Sequence, residues 1–203
     1  NYSKIESDWT SVSYIYEIVA FSKNKSIVCS SFCENSLQGD SDVMNFFKFL
    51  GVKTLFNDGK IILTKYDNFP IPKLIKWDVS GNPDLALTYI TSCLGLGINL
   101  QLTGIRTLLF KESNRLKVMK SELEKFNANI ILEDDFFFMD TSFRKLEESF
   151  INTYFDHRIA LAFAPLVIIT KKLNIEDYNV VSKSYPKFWD DLKKIGIKIS
   201  SKD

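Results

Sequence analysis

The feature that most constrains this chain is a pattern that returns three times. Three segments open on aspartate and continue as small and apolar residues: Asp8-Trp9-Thr10-Ser11 running on to Phe21, Asp84-Leu85-Ala86-Leu87 to Leu96, and Asp156-His157-Arg158-Ile159 to Ile168. Aspartate before such a run is an N-cap signal, because its carboxylate satisfies backbone N–H groups that have no helical partner. The runs are apolar nearly all round, which predicts buried helices. A second, amphipathic helix is expected after each, over 39–50, 112–126 and 184–195. Each ends at a stop, Gly51, Asn127 or Gly196, residues that suit the left-handed position after a helix.

Strands fill the intervals. Residues 52–56 and 60–64 flank Asn57-Asp58-Gly59, a hairpin signal, and 129–132 and 136–139 flank Glu133-Asp134-Asp135. Further strands are expected over 26–30, 74–79, 99–103 and 166–170. The unit is β-α-β-α-β-β, repeated about every seventy-odd residues. It predicts one α/β (α+β) domain over 1–203 with a pseudo-threefold array of units near 1–65, 66–140 and 141–203. The array is incomplete at its ends: the first unit lacks its opening strand and the last its closing pair. Periodicity fixes a fold, not a function.

Composition narrows the partners. The 203 residues carry 26 basic and 25 acidic side chains, a formal net charge of +1. That balance argues against a general nucleic-acid or membrane-surface binder, while a local basic pocket for a small anion stays open. Cys29, Cys33 and Cys93 form no disulfide framework, and with one histidine in the chain they make a poor zinc set. The longest apolar run, 159–169, is too short to span a bilayer and is interrupted by Pro165. No signal peptide is visible, so a cytoplasmic location is expected. The chain starts at Asn1 and runs directly into periodic sequence, which suggests a fragment or a processed product.

Four clusters carry possible chemistry. Pro83-Asp84 opens a helix; alone, the aspartate is most simply a cap, and otherwise a carboxylate that orients or deprotonates a hydroxyl. Lys111-Glu112-Ser113-Asn114-Arg115 is, taken singly, a solvated charged turn. Yet Lys111 and Arg115 at i and i+4 share a helix face, with Glu112 beside them as a proton donor. Asp156-His157-Arg158 places a basic pair at a helix start, where phosphate or carboxylate binds with help from the helix dipole. Lys183-Ser184-Tyr185-Pro186 precedes the last helix and is weak by itself. All four fall at N-terminal ends of helices related by the repeat. In a pseudo-threefold array those ends converge, and convergent helix N-termini with Lys and Arg suit a multiply charged phosphate ligand.

These segments also stand in a known order. Ile5-Glu6-Ser7-Asp8-Trp9-Thr10-Ser11, Asn35-Ser36-Leu37-Gln38-Gly39-Asp40, Pro83-Asp84, the Lys111–Leu116 run, Asp156-His157-Arg158 and Lys183-Ser184-Tyr185-Pro186 follow one another as in the 5-enolpyruvylshikimate-3-phosphate synthases. The resemblance covers almost the whole chain and implies the enolpyruvyl transferase fold. The UDP-N-acetylglucosamine enolpyruvyl transferases share that fold but differ at the Lys-Glu-Ser-Asn-Arg and Asp-His-Arg positions, so they rank second. A non-catalytic anion-binding module is the alternative from another class.

The resemblance implies transfer of the carboxyvinyl group of phosphoenolpyruvate to the 5-hydroxyl of shikimate 3-phosphate, with phosphate leaving, on the route to chorismate and the aromatic amino acids. It implies no metal and no organic cofactor. Asp84 would contact the shikimate hydroxyls and accept a proton, and Glu112 would donate one. Lys111 would lie on the shikimate phosphate side. Arg115, Arg158 and Lys183 would bind phosphoenolpyruvate, and His157 would lie near the site. Thr107 stands where some members carry an asparagine that contacts the shikimate substrate, and Asn114 where aspartate is commoner. The family's chain is about twice this length, on the scale of two domains. This chain therefore matches the C-terminal half, its missing N-terminal half is the implied partner, and the whole is expected to be a monomer.

Overall fold

The computed structural model describes residues 5–23, 26–111 and 113–200. The chain opens with α1 (Trp9–Phe21), β1 (Ser26–Ser30), α2 (Val43–Phe49), and the hairpin β2 (Val52–Asn57) and β3 (Lys60–Lys65). The middle is β4 (Leu74–Asp78), α3 (Ala86–Leu96), β5 (Asn99–Thr103), α4 (Arg115–Glu124), β6 (Asn129–Glu133) and β7 (Phe136–Asp140). The last part is β8 (Ser149–Ile151), α5 (His157–Phe163), α6 (Val167–Thr170), β9 (Leu173–Ile175) and α7 (Phe188–Lys194). Among the described residues the strands form three sheets, ordered β1-β3-β2, β4-β5-β7-β6 and β8-β9.

The apolar runs explain the interior. Nearly every residue of α1 and α3 is buried, and α3 packs against both α1 and α5. The sheets lie around these helices, and strands such as β1 and β7 alternate between more and less exposed residues as a one-sided packing surface requires. Stacked rings of Phe46 and Tyr89, with centroids 3.7 Å apart, join α2 to α3. The stops act as expected: Gly51 (φ 76°), Asn127 (φ 57°) and Gly196 (φ 94°) all adopt left-handed backbone. Gly104 (φ 74°) ends β5 where an added Cβ would run into the backbone nitrogen of Ser80 and lie 2.7 Å from its Cα. Only glycine lets β5 pass so close to the loop that leads to Asp84.

The middle segment runs β-α-β-α-β-β, with β4 and β5 parallel and β6 and β7 an antiparallel hairpin. Three expectations need correction. Residues 166–170 are not a strand: a 3-10 turn over Ala164–Leu166 leads into α6, and the strand lies later, at β9, parallel to β8. The β-branched Val167-Ile168-Ile169-Thr170 sequence suggested a strand, but the buried helical run continues through it, with Pro165 tolerated in the first turn of the 3-10 segment. The helix expected over 112–126 begins at Arg115, because Asn114 caps it by accepting a hydrogen bond from Lys117 N. The helix expected over 184–195 begins at Phe188, after Pro186.

Glu17 is the anomaly of the core. It lies fully buried on α1, and burial pushes its carboxyl well above the usual carboxylate range, offset only in part by Thr91. A carboxyl whose pKa is raised by folding is protonated in the folded chain while the unfolded chain ionises. Its cost is therefore absent below the unfolded value of 4.5 and grows as pH rises above it. We expect Glu17→Gln to raise stability at pH 7 by at least about 1 kcal/mol and to change it little at pH 4, as read by urea unfolding at the two pH values.

Candidate functional site

Two of the motifs are lacing. Glu6 accepts hydrogen bonds from Trp9 Nε1 (2.9 Å), Cys33 N (3.1 Å), Ser36 Oγ (2.8 Å) and Gln38 Nε2 (3.2 Å). Burial opposes its charge, but those donors outweigh it and hold the carboxyl below its ordinary value. Gln38 Oε1 in turn accepts from Trp9 N at 3.0 Å. The segments around Asp8 and Asp40 are thus tied into one corner. Gly39 then faces Gly81 O so closely that a Cβ would stand 3.1 Å from it, and Asn82 Nδ2 donates to Asp42 Oδ2 at 3.2 Å. This corner sets the loop that delivers Asp84.

Asp8 and Asp156 are caps as expected. Asp8 accepts from Thr10 N and Ser11 N, and Asp156 from Arg158 N at 3.0 Å. Asp84 is not a cap. It sits inside the 3-10 turn Pro83–Leu85 and points its carboxylate at cations. Among the described residues three reach it: Arg115 Nη1 at 2.9 Å, Arg158 Nη2 at 3.1 Å and Lys111 Nζ at 3.4 Å. The starts of α3, α4 and α5 are therefore joined through one carboxylate. Lys111 does so from extended backbone ahead of α4 rather than from the helix face that its i, i+4 spacing suggested.

Behind this cluster lies a buried ion pair. Arg115 is 1% exposed and Asp156 fully buried, with Arg115 Nε on Asp156 Oδ2 at 2.8 Å and Ser113 Oγ donating to the same oxygen at 3.0 Å. Two consecutive non-glycine residues in left-handed backbone, Tyr154 (φ 53°) and Phe155 (φ 58°), bring the chain round to Asp156. Such residues cost about 1 kcal/mol or more each, so the turn must be held from outside. Glu122 does this: it is buried, accepts from Tyr154 Oη at 3.0 Å and Asn152 N at 3.2 Å, and pairs with Lys125 Nζ at 2.6 Å.

Among the described residues, the cations Lys111, Arg115 and Arg158 stand against the carboxylates of Asp84 and Asp156. Asp40 stands nearby, bonded to Thr10 Oγ1; burial, together with the neighbouring Asp84 and Asp8, pushes its carboxyl up against the pull of Thr10 and Arg158. Tyr14 is buried on α1, and burial pushes its phenol up to about 12 against the electrostatic pull of Arg158. The sequence did not single out Tyr14 or Asp40 as parts of the site; only their place just after and within two of the motifs hinted at it.

The other expected residues fall around this centre. His157 is buried at the start of α5, its Nδ1 4.0 Å from Asp156 Oδ1. Thr107 is exposed on the 3-10 segment Arg106–Phe110, one turn before Lys111. Lys183 is exposed at the end of the segment Tyr178–Lys183, which packs on α5. Glu112 lies outside the described residues. Among the described residues no helix is long and apolar enough to cross a membrane.

Comparison with known proteins places this geometry. The EPSP synthase from Acinetobacter baumannii superposes with a TM-score of 0.72 at 20% identity, over 98% of this chain and 48% of that one. The enolpyruvyl transferase NikO from Streptomyces tendae gives 0.68 at 12% identity, over 97% and 44%. The fold is that of the enolpyruvyl transferases. The family model for EPSP synthase (3-phosphoshikimate 1-carboxyvinyltransferase) matches residues 2–192, and the chain belongs to that family. A 3-phosphoshikimate 1-carboxyvinyltransferase of Bacteroides fragilis is 36% identical over 197 residues, 96% of this chain and 48% of the relative. One from Buchnera aphidicola is 31% identical over 191 residues, 94% and 43%. The chain spans about half the length of the curated relatives it matches.

The buried pair makes a direct prediction. Asp156→Ala strips the counter-charge from Arg115 and the cap from α5, and should cost about 3–5 kcal/mol in urea unfolding, the usual scale for breaking a buried pair. Asp156→Asn removes the charge but keeps the cap, so it should recover only about 1 kcal/mol of that loss, the share of the cap.

Proposed function

We propose that this chain is the C-terminal half of an enzyme that transfers the carboxyvinyl group of phosphoenolpyruvate to the 5-hydroxyl of shikimate 3-phosphate, releasing phosphate. The observation that carries the reading is the convergence of Lys111, Arg115 and Arg158 on Asp84 in a chain of the EPSP synthase family. The reaction adds the hydroxyl oxygen to C2 of phosphoenolpyruvate and a proton to C3. Loss of that phosphate and of a proton from C3 then restores the double bond. It needs an acid, a base and cations for several anionic groups.

Each role has a physical counterpart. Arg158 keeps 17% of its side chain exposed, and its planar fork suits a carboxylate. Lys111, more exposed, offers a mobile point charge for a phosphate. Arg115 is buried between Asp84 and Asp156, so its part is to hold Asp84 in place and to lend charge from behind rather than to offer an open face. Thr107 lies one turn before Lys111, and Lys183 ends the segment that packs on α5, so both can serve as outer contacts; His157 lies beside Asp156. Glu112 is the proton donor in this reading.

Asp84 is the base in this reading, and Lys111, Arg115 and Arg158 hold its carboxylate while no substrate is bound. An arriving phosphate or carboxylate competes for Arg158 and Lys111. As they turn to the new anion, the carboxylate of Asp84 is freed towards the hydroxyl beside it. The reading also implies a complementary N-terminal half that closes over the site and excludes water, a monomeric whole enzyme in the cytoplasm, and no cofactor.

Asp84→Asn separates this reading from its rivals. In the chain alone the substitution should tighten binding of inorganic phosphate, measured by calorimetry, because a resident competitor is removed. In the chain joined to a complementary EPSP synthase half, turnover should fall by about 10²-fold or more, the scale for loss of a general base. Phosphate release with a UDP-sugar but not shikimate 3-phosphate would instead favour a sister transferase. Near-normal turnover would remove Asp84 from the chemistry.

A further inference from the structure

Helix α4 grips the chain that leads to α5 along its approach. Lys125, the residue that ends α4, donates from Nζ to Phe150 O at 2.9 Å. Glu122 accepts from Asn152 N at 3.2 Å and from Tyr154 Oη at 3.0 Å. Arg115 Nε pairs with Asp156 Oδ2 at 2.8 Å. Alternate residues of the approach are thus held in turn, from the end of α4 back to its start. Glu122 and Arg115 lie about two turns apart on α4, so they share a helix face and stand about 10 Å apart along it. Both are buried.

The approach needs this grip because it ends in an unfavourable turn. Asp156 N donates to Thr153 O at 2.9 Å, which closes a tight turn over 153–156. Its two central residues, Tyr154 (φ 53°) and Phe155 (φ 58°), both have left-handed backbone. Asparagine and glycine suit such places, and aromatic residues do not. Without an outside hold the turn favours unwinding. Phe155 is 80% exposed, so its ring adds little packing. Tyr154 is 42% exposed, and its hydroxyl is tied down on Glu122. The turn delivers the start of α5: Asp156 caps Arg158 N at 3.0 Å, and Arg158 Nη2 meets Asp84 Oδ2 at 3.1 Å.

We propose that Glu122 is a positioning residue for the anion site: through Asn152 N and Tyr154 Oη it keeps the turn over 153–156 wound, and so sets Arg158 on Asp84. Glu122 acts through the turn and not on the ligand. The role rests on the anion site proposed above. Its consequence is quantitative. The site is complete only in molecules in which the turn is wound, so the apparent affinity for an anion falls in proportion to that fraction.

The test is binding of inorganic phosphate to this chain, by calorimetry, with Tyr154→Phe, with Phe155→Gly and with the two together. Tyr154→Phe keeps the ring and removes the bond to Glu122. A turn wound in about one molecule in ten binds phosphate about tenfold more weakly, and that is the loss expected. Phe155→Gly supplies a residue at home in left-handed backbone, so the double variant should return to within about twofold of the unsubstituted chain. Beside Glu122→Ala, Tyr154→Phe should cost less than about twofold, because its partner is already gone. Unchanged affinity in folded Tyr154→Phe would mark the Glu122 contacts as fold stability alone and overturn the proposal. So would a loss that Phe155→Gly does not restore, or one that persists in full beside Glu122→Ala, since the hydroxyl would then act in some other way. The unsubstituted chain supplies a measurement that needs no variant to fold. By linkage, an anion that requires the wound turn must also favour it. At phosphate about ten times its dissociation constant, hydrogen exchange of the Asp156 amide should slow by about tenfold, and an unchanged rate there sinks the idea. If the unsubstituted chain binds no phosphate, the anion-site reading itself fails and this role falls with it. If phosphate binds but ignores the turn, the role of Glu122 falls alone.

Discussion

The site depends on one buried ion pair, Arg115 with Asp156. A charge taken out of water is costly unless its partner and hydrogen bonds replace what water supplied. Here the replacement is nearly complete: Asp156 accepts from Arg115, Ser113 and Arg158 N, while Arg115 spans Asp156 and Asp84. Each acceptor comes from a different element, so the starts of α3, α4 and α5 can be correct only together. The left-handed Tyr154-Phe155 turn is tolerable for the same reason. Glu122 holds it from one side and the Asp156 network from the other.

Much of this was legible in the sequence, and the reasons differ by element. The buried helices followed from runs apolar on all faces, and the stops at Gly51, Asn127 and Gly196 from the backbone conformation those residues favour. Local signals of this kind act within a few residues and survive folding. What failed was decided at a distance. The segment 166–170 has strand-forming residues, but the core needed a continued helix there, and packing overrode propensity. Asp84 looked like Asp8 and Asp156, yet cations brought in from 27 or more positions along the chain claimed its carboxylate. Tyr14 was invisible for the same reason: nothing near it in sequence says that it is buried within reach of the charge of Arg158.

The resemblance named Asp84, Lys111, Arg115 and Arg158, which the structure brings together, and left their division of labour open. It grouped Arg115 with Arg158 as ligand contacts, whereas their burial separates them. Arg115 is enclosed, and Arg158 keeps an open edge. Asn114, which looked like a lost charge, caps α4 and so helps to place Arg115. The Glu6 and Gln38 segments, which helped to carry the resemblance, spend their hydrogen bonds on one another. A motif can persist in order along a chain because it builds the frame of a site as well as because it touches the ligand.

The charges around Asp84 bear on how, in the proposed reaction, one carboxylate would serve both as counter-ion and as base. Were the cations fewer, Asp84 would be left partly satisfied and would repel an arriving anion. Were they more, the empty cluster would be a strongly positive hole that destabilises the fold by self-repulsion. Among the described residues, Lys111, Arg115 and Arg158 stand against Asp84 and Asp156, and burial pushes the carboxyl of neighbouring Asp40 up. Because Asp156 is buried with Arg115 and Asp84 is not, the exchange has one direction open to it: the exposed cations change partners while the buried pair stays, and the frame that holds Asp84 beside the ligand survives the release of its charge.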